Sequence, residues 1–88
     1  MTEAEVEIVN RLGLHARPSA RVSALAGKFE AEVWLTKNGR RVNAKSIMGV
    51  MMLAAARGAT LKIEADGPDE AQAVAALREL IGSGFDEE

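Results

Sequence analysis

Residues 13 to 20 read GLHARPSA and contain the chain's only histidine, His15, with Arg17 two places on and Pro18 directly after. Proline is tolerated in the first turn of a helix, where backbone N–H groups have no intrahelical acceptor. Pro18 therefore predicts a helix with His15 as N-cap and Ala16, Arg17 and Pro18 as its first turn. Gly13 lets the chain turn sharply into that helix. The amides of Ala16 and Arg17 would then point outward past the imidazole, at a terminus carrying roughly half a positive charge. A nucleophilic ring, open amide donors and a guanidinium able to grip phosphate oxygens bidentately meet in one small volume. Phosphoryl transfer asks little of a protein beyond positioning and charge stabilisation, and histidine can carry a covalent intermediate. The chemistry this stretch suits is a transient phosphohistidine. The same residues also make an ordinary polar cap, and spacing alone leaves both readings open.

Other chemistries fit less well. With one histidine, no cysteine and no carboxylate cluster beside it in sequence, no metal site is expected. Ser19 lies four positions beyond His15, but no strained elbow surrounds it and no acid is assignable, which argues against a Ser-His-Asp hydrolase. A second stretch, SIMGVMMLAAARG from residue 46, reads as a short apolar helix with Ser46 as its N-cap. Gly49 inside it weakens the helix by about 1 kcal/mol relative to alanine. A phosphate on Ser46 would sit at a helix N-terminus and add roughly −1.5 to −2 charges. Taken by residue type alone, Ser46 is simply a cap, and Ile47, Met48, Met51 and Met52 read as core, although so short a helix cannot bury all four.

The elements that must position these residues follow from periodicity. AEVEIV alternates, with Ala4, Val6 and Ile8 inward and the glutamates toward water. Val22, Leu25 and Ala26 share one face of the first helix, and Gly27 is its expected C′ residue. FEAEVWLT places Phe29, Ala31, Val33 and Leu35 inward and Trp34 on the polar side. Asn38-Gly39 is the preferred pair for a two-residue type I′ hairpin turn, with RRVNA returning. ATLKIEA is a fourth alternating strand with Leu61, Ile63 and Ala65 inward. GPDEAQAVAALRELIG is the clearest helix, with Pro68 near its first position and a Val74, Leu77, Ile81 stripe. Gly82 or Gly84 would end it, leaving FDEE as a frayed tail. Strands with one wet face need helices on the other, which predicts an α+β, two-layer open-faced sandwich. Its order is β-α-β-β-α-β-α, a four-stranded antiparallel sheet covered on one face by three helices. Residues 1–88 are expected to form a single domain.

Composition narrows the class further. The 11 basic and 13 acidic residues give a net charge of −2, which argues against a nucleic-acid binder. The signs are unevenly placed, with Arg11, Arg17, Arg21 and Arg57 among the early cations and Glu79, Asp86, Glu87 and Glu88 among the late acids. One pole is expected to be positive, suiting an anionic ligand or an acidic partner. No apolar run approaches the ~20 residues that span a bilayer, and the N-terminus lacks a secretory pattern, so a cytoplasmic location with no membrane partner is expected.

GLHARPSA and KSIMGVMML together resemble the two signatures of HPr, the histidine-containing phosphocarrier of the bacterial sugar phosphotransferase system, and the likeness spans essentially the whole chain. The resemblance implies a carrier rather than an enzyme, without a cofactor and monomeric. It implies that His15 accepts a phosphoryl group on Nδ1 from the phosphohistidine of Enzyme I and passes it to sugar-specific Enzyme IIA domains. It implies that Arg17 and the Ala16 amide steady the phosphoryl oxygens, and that Ile47, Met48, Met51 and Ala20 form a docking patch. Ser46 matches the serine modified by HPr kinase/phosphorylase in carbon catabolite regulation, where a transcriptional regulator would be a further partner. Ala54 stands where such proteins often have glycine, so it is expected to extend the short helix or shift its loop. Two alternatives remain: a carrier of the nitrogen-related phosphotransferase branch, and a small α+β interaction module whose histidine is incidental.

Overall fold

A computed structural model describes residues 1–86; Glu87 and Glu88, the end of the expected tail, lie outside the described residues. The strands β1 (Thr2–Glu7), β2 (Glu32–Lys37), β3 (Arg40–Asn43) and β4 (Thr60–Asp66) form one sheet in the order β1-β4-β2-β3, every neighbouring pair antiparallel. The helices are α1 (Ala16–Ala26), α2 (Ile47–Met52) and α3 (Glu70–Gly82), followed by a short 3₁₀ turn (Gly84–Asp86). This is the open-faced α+β sandwich that alternation in the sequence predicts.

Register makes the core. Val6 faces Leu61 and Ala4 faces Ile63 across β1 and β4, while Leu35 faces Ile63 and Val33 faces Ala65 across β2 and β4. This inward stripe meets Pro18, Val22 and Ala26 of α1 and Ala73, Val74, Leu77 and Ile81 of α3. Leu35, Leu61, Ile63, Leu77 and Ile81 have no accessible surface, and each contributes roughly 1.5–3 kcal/mol through burial. Asn38 and Gly39 both take positive φ (50° and 83°), the type I′ geometry their pairing predicts. On the wet face Trp34 lies under Arg41, whose guanidinium carbon is 4.0 Å from the ring centroid.

α3 begins differently from the sequence expectation. Pro68 precedes the N-cap, Asp69, whose carboxylate does not cap its own helix. Its two oxygens instead accept the backbone N–H groups of Glu30 and Ala31, both at 2.9 Å, and these bonds hold the carboxyl below its usual range. Glu70 accepts the Thr2 hydroxyl at 2.6 Å and the Gly67 amide at 3.0 Å, joining β1 to α3. Those two bonds, with the N-terminal ammonium, lower its pKa from the usual 4.5 to about 2.

Two further expectations are corrected. Gly27 is not a left-handed C′ residue: its φ is −66°, and Lys28 and Phe29 continue the chain in right-handed turns bonded to Leu25 and Ala26. The strand accordingly starts at Glu32, with Phe29 only partly buried against the core. Nor is the stretch after Gly84 frayed as far as it is described. Phe85 is 1% exposed and its carbonyl accepts a hydrogen bond from Arg21, which also pairs with Asp86. Residues 84, 85 and 86 all have positive φ (72°, 61° and 58°), and this left-handed reversal returns the phenyl ring to the core.

Candidate functional site

His15 is the N-cap of α1, extended at φ −82° and ψ −167°, and its ring does not cap its own helix. The first intrahelical bond at this end runs from the Ser19 amide to the His15 carbonyl, 3.0 Å. Pro18 has no amide, so Ala16 and Arg17 carry the two N–H groups that helix geometry leaves without an intrahelical acceptor. The imidazole is half-buried, with Nε2 enclosed, while Ala16, Arg17 and Ala20 are exposed.

The backbone beneath the histidine is braced from three directions. The Leu14 amide donates to the Ala55 carbonyl at 2.9 Å, and the Ser19 hydroxyl donates to the Leu14 carbonyl at 3.2 Å. The Asn10 side-chain amide donates to the Gly13 carbonyl at 2.9 Å, and that carbonyl also receives the His15 amide at 3.0 Å. Asn10 and Ser19 are the buried polar residues of the core, at 2% and 0% exposure. Buried hydrogen bonds of this kind carry positional information, because breaking one leaves a desolvated polar group costing about 1–3 kcal/mol. Sequence reasoning missed Asn10 and Ala55 and met Ser19 only as a rejected nucleophile. The one available signal was polarity at Asn10 and Ser19 beside otherwise apolar positions.

Gly13 takes φ +66°, and a Cβ there would lie 2.3 Å from the Ala55 carbonyl oxygen. Here glycine is needed for both the left-handed backbone and the close approach. Ala54, the residue before that carbonyl, also has positive φ (50°), so α2 ends at Met52 and Ala54 does not extend it. Alanine adopts the conformation that glycine would take without strain.

α2 presents the second constellation. Ser46 caps it, its Oγ accepting the Gly49 amide at 3.0 Å. Val50 and Leu53 fill the core, whereas Ile47, Met48, Met51 and Met52 are 45%, 66%, 36% and 54% exposed. The reading of these four as core by residue type is therefore wrong. The surface they make is contiguous along one short helix. Both ends of α2 are pinned: the Ser23 hydroxyl of α1 donates to the Lys45 carbonyl at 2.6 Å, and Lys37 and Arg40 donate to the Leu53 and Met52 carbonyls at 3.0 and 3.2 Å. Cationic side chains suit the negative end of a helix. Among the described residues, no group of three or more histidines and acids could hold a metal, and no helix is long and apolar enough to cross a membrane.

The family model for the phosphorylation site of the phosphotransferase HPr component matches residues 2–83. The chain belongs to the HPr family. It is 54% identical over 87 residues to phosphocarrier protein HPr of Neisseria meningitidis, covering 99% of this chain and 98% of that one. It is also 44% identical over 84 residues to phosphocarrier protein NPr of Escherichia coli, covering 94% and 93%. Among solved structures, an HPr from Thermoanaerobacter tengcongensis superposes with a TM-score of 0.96 at 48% identity, covering 100% and 99%. HPr proteins are phosphocarriers of the phosphotransferase system, and the fold described above is theirs.

Proposed function

We propose that this HPr-family chain carries phosphate on His15, accepting it from the phosphohistidine of Enzyme I and passing it to sugar-specific Enzyme IIA domains. The observation that carries this reading is the N-cap position of His15 with its ring not used for capping. The Ala16 and Arg17 amides are thereby left to phosphoryl oxygens. In the transfer, a ring nitrogen lone pair of His15 attacks phosphorus and the phosphorus–nitrogen bond to the donor histidine breaks. The bonding electrons return to the donor ring, so no cofactor or oxidant is required. The burial of Nε2 supports Nδ1 as the acceptor atom. Exposed Arg17 supplies a guanidinium to the transferring group, and the helix terminus supplies fixed partial charge that needs no reorganisation.

Ile47, Met48 and Met51, with Ala20 on α1, serve as the docking patch; flexible methionines suit a surface that meets more than one partner. Ser46 is the regulatory site. Phosphate there would keep an acceptor at the α2 N-terminus while placing negative charge beside the docking patch, weakening association with acidic partners. The chain works in the cytoplasm as a monomeric protein substrate and not as an enzyme. A second reading, a carrier of the nitrogen-related branch, is favoured by the similarity to NPr.

Incubation with Enzyme I and phosphoenolpyruvate tests the proposal. One acid-labile phosphate is expected, abolished in His15→Ala; an unlabelled parent protein would refute it. Onward transfer to sugar-type or to nitrogen-type acceptors separates the two branches. ATP with HPr kinase should label the protein at Ser46, and Ser46→Ala should remove that label.

A further inference from the structure

Three consecutive carbonyls, those of Gly13, Leu14 and His15, lie along the backbone that carries the histidine, and each accepts a hydrogen bond from a defined donor. The Gly13 carbonyl takes the Asn10 side-chain amide at 2.9 Å and the His15 amide at 3.0 Å, the latter closing a three-residue turn about Leu14. The Leu14 carbonyl takes the Ser19 hydroxyl at 3.2 Å; Pro18, four residues on, has no N–H to offer it. The His15 carbonyl takes the Ser19 amide at 3.0 Å. Asn10 and Ser19 thus reach the histidine backbone from opposite sides in sequence. Neither side chain can touch a partner, because Asn10 is 2% exposed and Ser19 has no accessible surface. The 3₁₀ turn closes over Asn10 as well: a Cβ built on Gly84 would stand 3.7 Å from the Asn10 Cβ and 3.4 Å from the Val9 Cγ2. Burying an amide and a hydroxyl costs desolvation that an apolar side chain would not incur, and both groups direct their bonds to this one loop.

We infer that Asn10 and Ser19 are positioning residues for phosphoryl transfer, a role that rests on His15 being the phosphoryl acceptor. Their bonds hold the carbonyls of Gly13 and Leu14 on buried donors, so the incoming group meets the Ala16 and Arg17 amides and not carbonyl oxygens. A carbonyl freed to swing toward the anionic phosphoryl oxygens would repel them where those amides attract. Alignment matters equally, because the ring lone pair, the phosphorus and the departing nitrogen must fall in line. Since both side chains are inaccessible, their loss must act through the placement of His15 and leave the exposed α2 patch as it was. The expected signature is therefore a slower transfer step with unchanged docking. Arg17 differs, being exposed and able to meet the phosphoryl group itself.

The test is rapid-quench transfer from phosphorylated Enzyme I to the full chain, read as the limiting rate at saturation and the concentration giving half that rate. Asn10→Ala should lower the limiting rate by about tenfold to a hundredfold, the scale of a 1 Å misplacement, with half-saturation unchanged. Ser19→Ala should lower it by about threefold, since its bond is longer, and alanine keeps the helix intact. Where Asn10→Ala does not fold, Ser19→Ala decides alone. Val74→Ala, a core truncation on α3, is the stability control: it should unfold at lower temperature with transfer unchanged. In NMR spectra, phosphorylation should move the Ala16 and Arg17 amide resonances of the parent, and less so those of the variants. Limiting rates equal to the parent's in the folded variants would overturn the inference. So would a change confined to half-saturation, which is a docking effect, or an equal slowing in Val74→Ala, which is a stability effect. A parent protein that accepts no phosphate would refute the carrier reading itself, whereas a normal parent with unaltered variants would remove only the positioning role.

Discussion

Gly13→Ala separates two effects that glycine serves at the histidine loop. With φ at +66°, alanine there adopts a left-handed backbone, which costs a non-glycine residue roughly 1–2 kcal/mol. Its Cβ would also stand 2.3 Å from the Ala55 carbonyl oxygen and 2.9 Å from the Ala56 Cα. Both neighbours are backbone, so no side chain can rotate away. The bond from the Leu14 amide to that carbonyl must give, and a buried amide left unsatisfied costs about 1–3 kcal/mol. Alanine recovers about 0.4–1 kcal/mol by restricting the unfolded chain. The net destabilisation is about 2–4 kcal/mol, or a fall in Tm of roughly 10–25 °C for a domain of this size. Gly39→Ala is the control: its φ is +83°, but nothing lies within 4 Å of the added carbon. Only the backbone penalty applies there, about 1 kcal/mol or less after the same offset. Urea unfolding and calorimetry of both variants measure the difference. Equal losses at the two glycines would refute the argument that the Ala55 loop is packed against residue 13.

Other features of the fold lead to further expected outcomes. Phe85→Ala should lose about 3–5 kcal/mol in urea unfolding, since the ring is core; a change near zero would restore the frayed-tail reading. Ala54→Gly should stabilise by about 0.5–1 kcal/mol, because it removes left-handed strain at φ +50° at the expense of added unfolded-chain freedom. Glu70 has a folded pKa of about 2 against a usual 4.5, so its stabilising effect is complete above pH 4.5 and is lost as pH falls toward 2. Thermal unfolding of Glu70→Gln across that window should show a flatter acid limb than the parent, and identical limbs would contradict the Thr2 and Gly67 bonds.

Much of the architecture was legible because the wet sheet face enforces strict alternation, and Asn38-Gly39 fixes one register outright. The helix start at His15 was legible for a local reason as well: Pro18 tolerates few positions. What escaped depended on distant partners. Phe85 precedes acidic residues and follows two glycines within three positions, so local chemistry reads as a loose end; its burial needs Arg21 and a left-handed reversal. The exposure of Ile47, Met48, Met51 and Met52 also follows from tertiary context, since within this stretch Val50 and Leu53 are the residues turned into the core. Ala55 acts through a hydrogen bond to Leu14 across the fold, which no spacing in the chain encodes; Asn10 bonds Gly13 only three residues on, but its burial depends on the packed fold. Asp69 spends both oxygens on the β2 approach, whose amides lie far from it in sequence.

The acceptor atom itself can be observed directly. Nitrogen–phosphorus couplings in NMR spectra of the protein phosphorylated by Enzyme I identify which nitrogen carries the group. A carrier that uses the open ring nitrogen should show a coupling to Nδ1 of His15 and none to Nε2. Phosphate on Nε2, or on any residue other than His15, would contradict it.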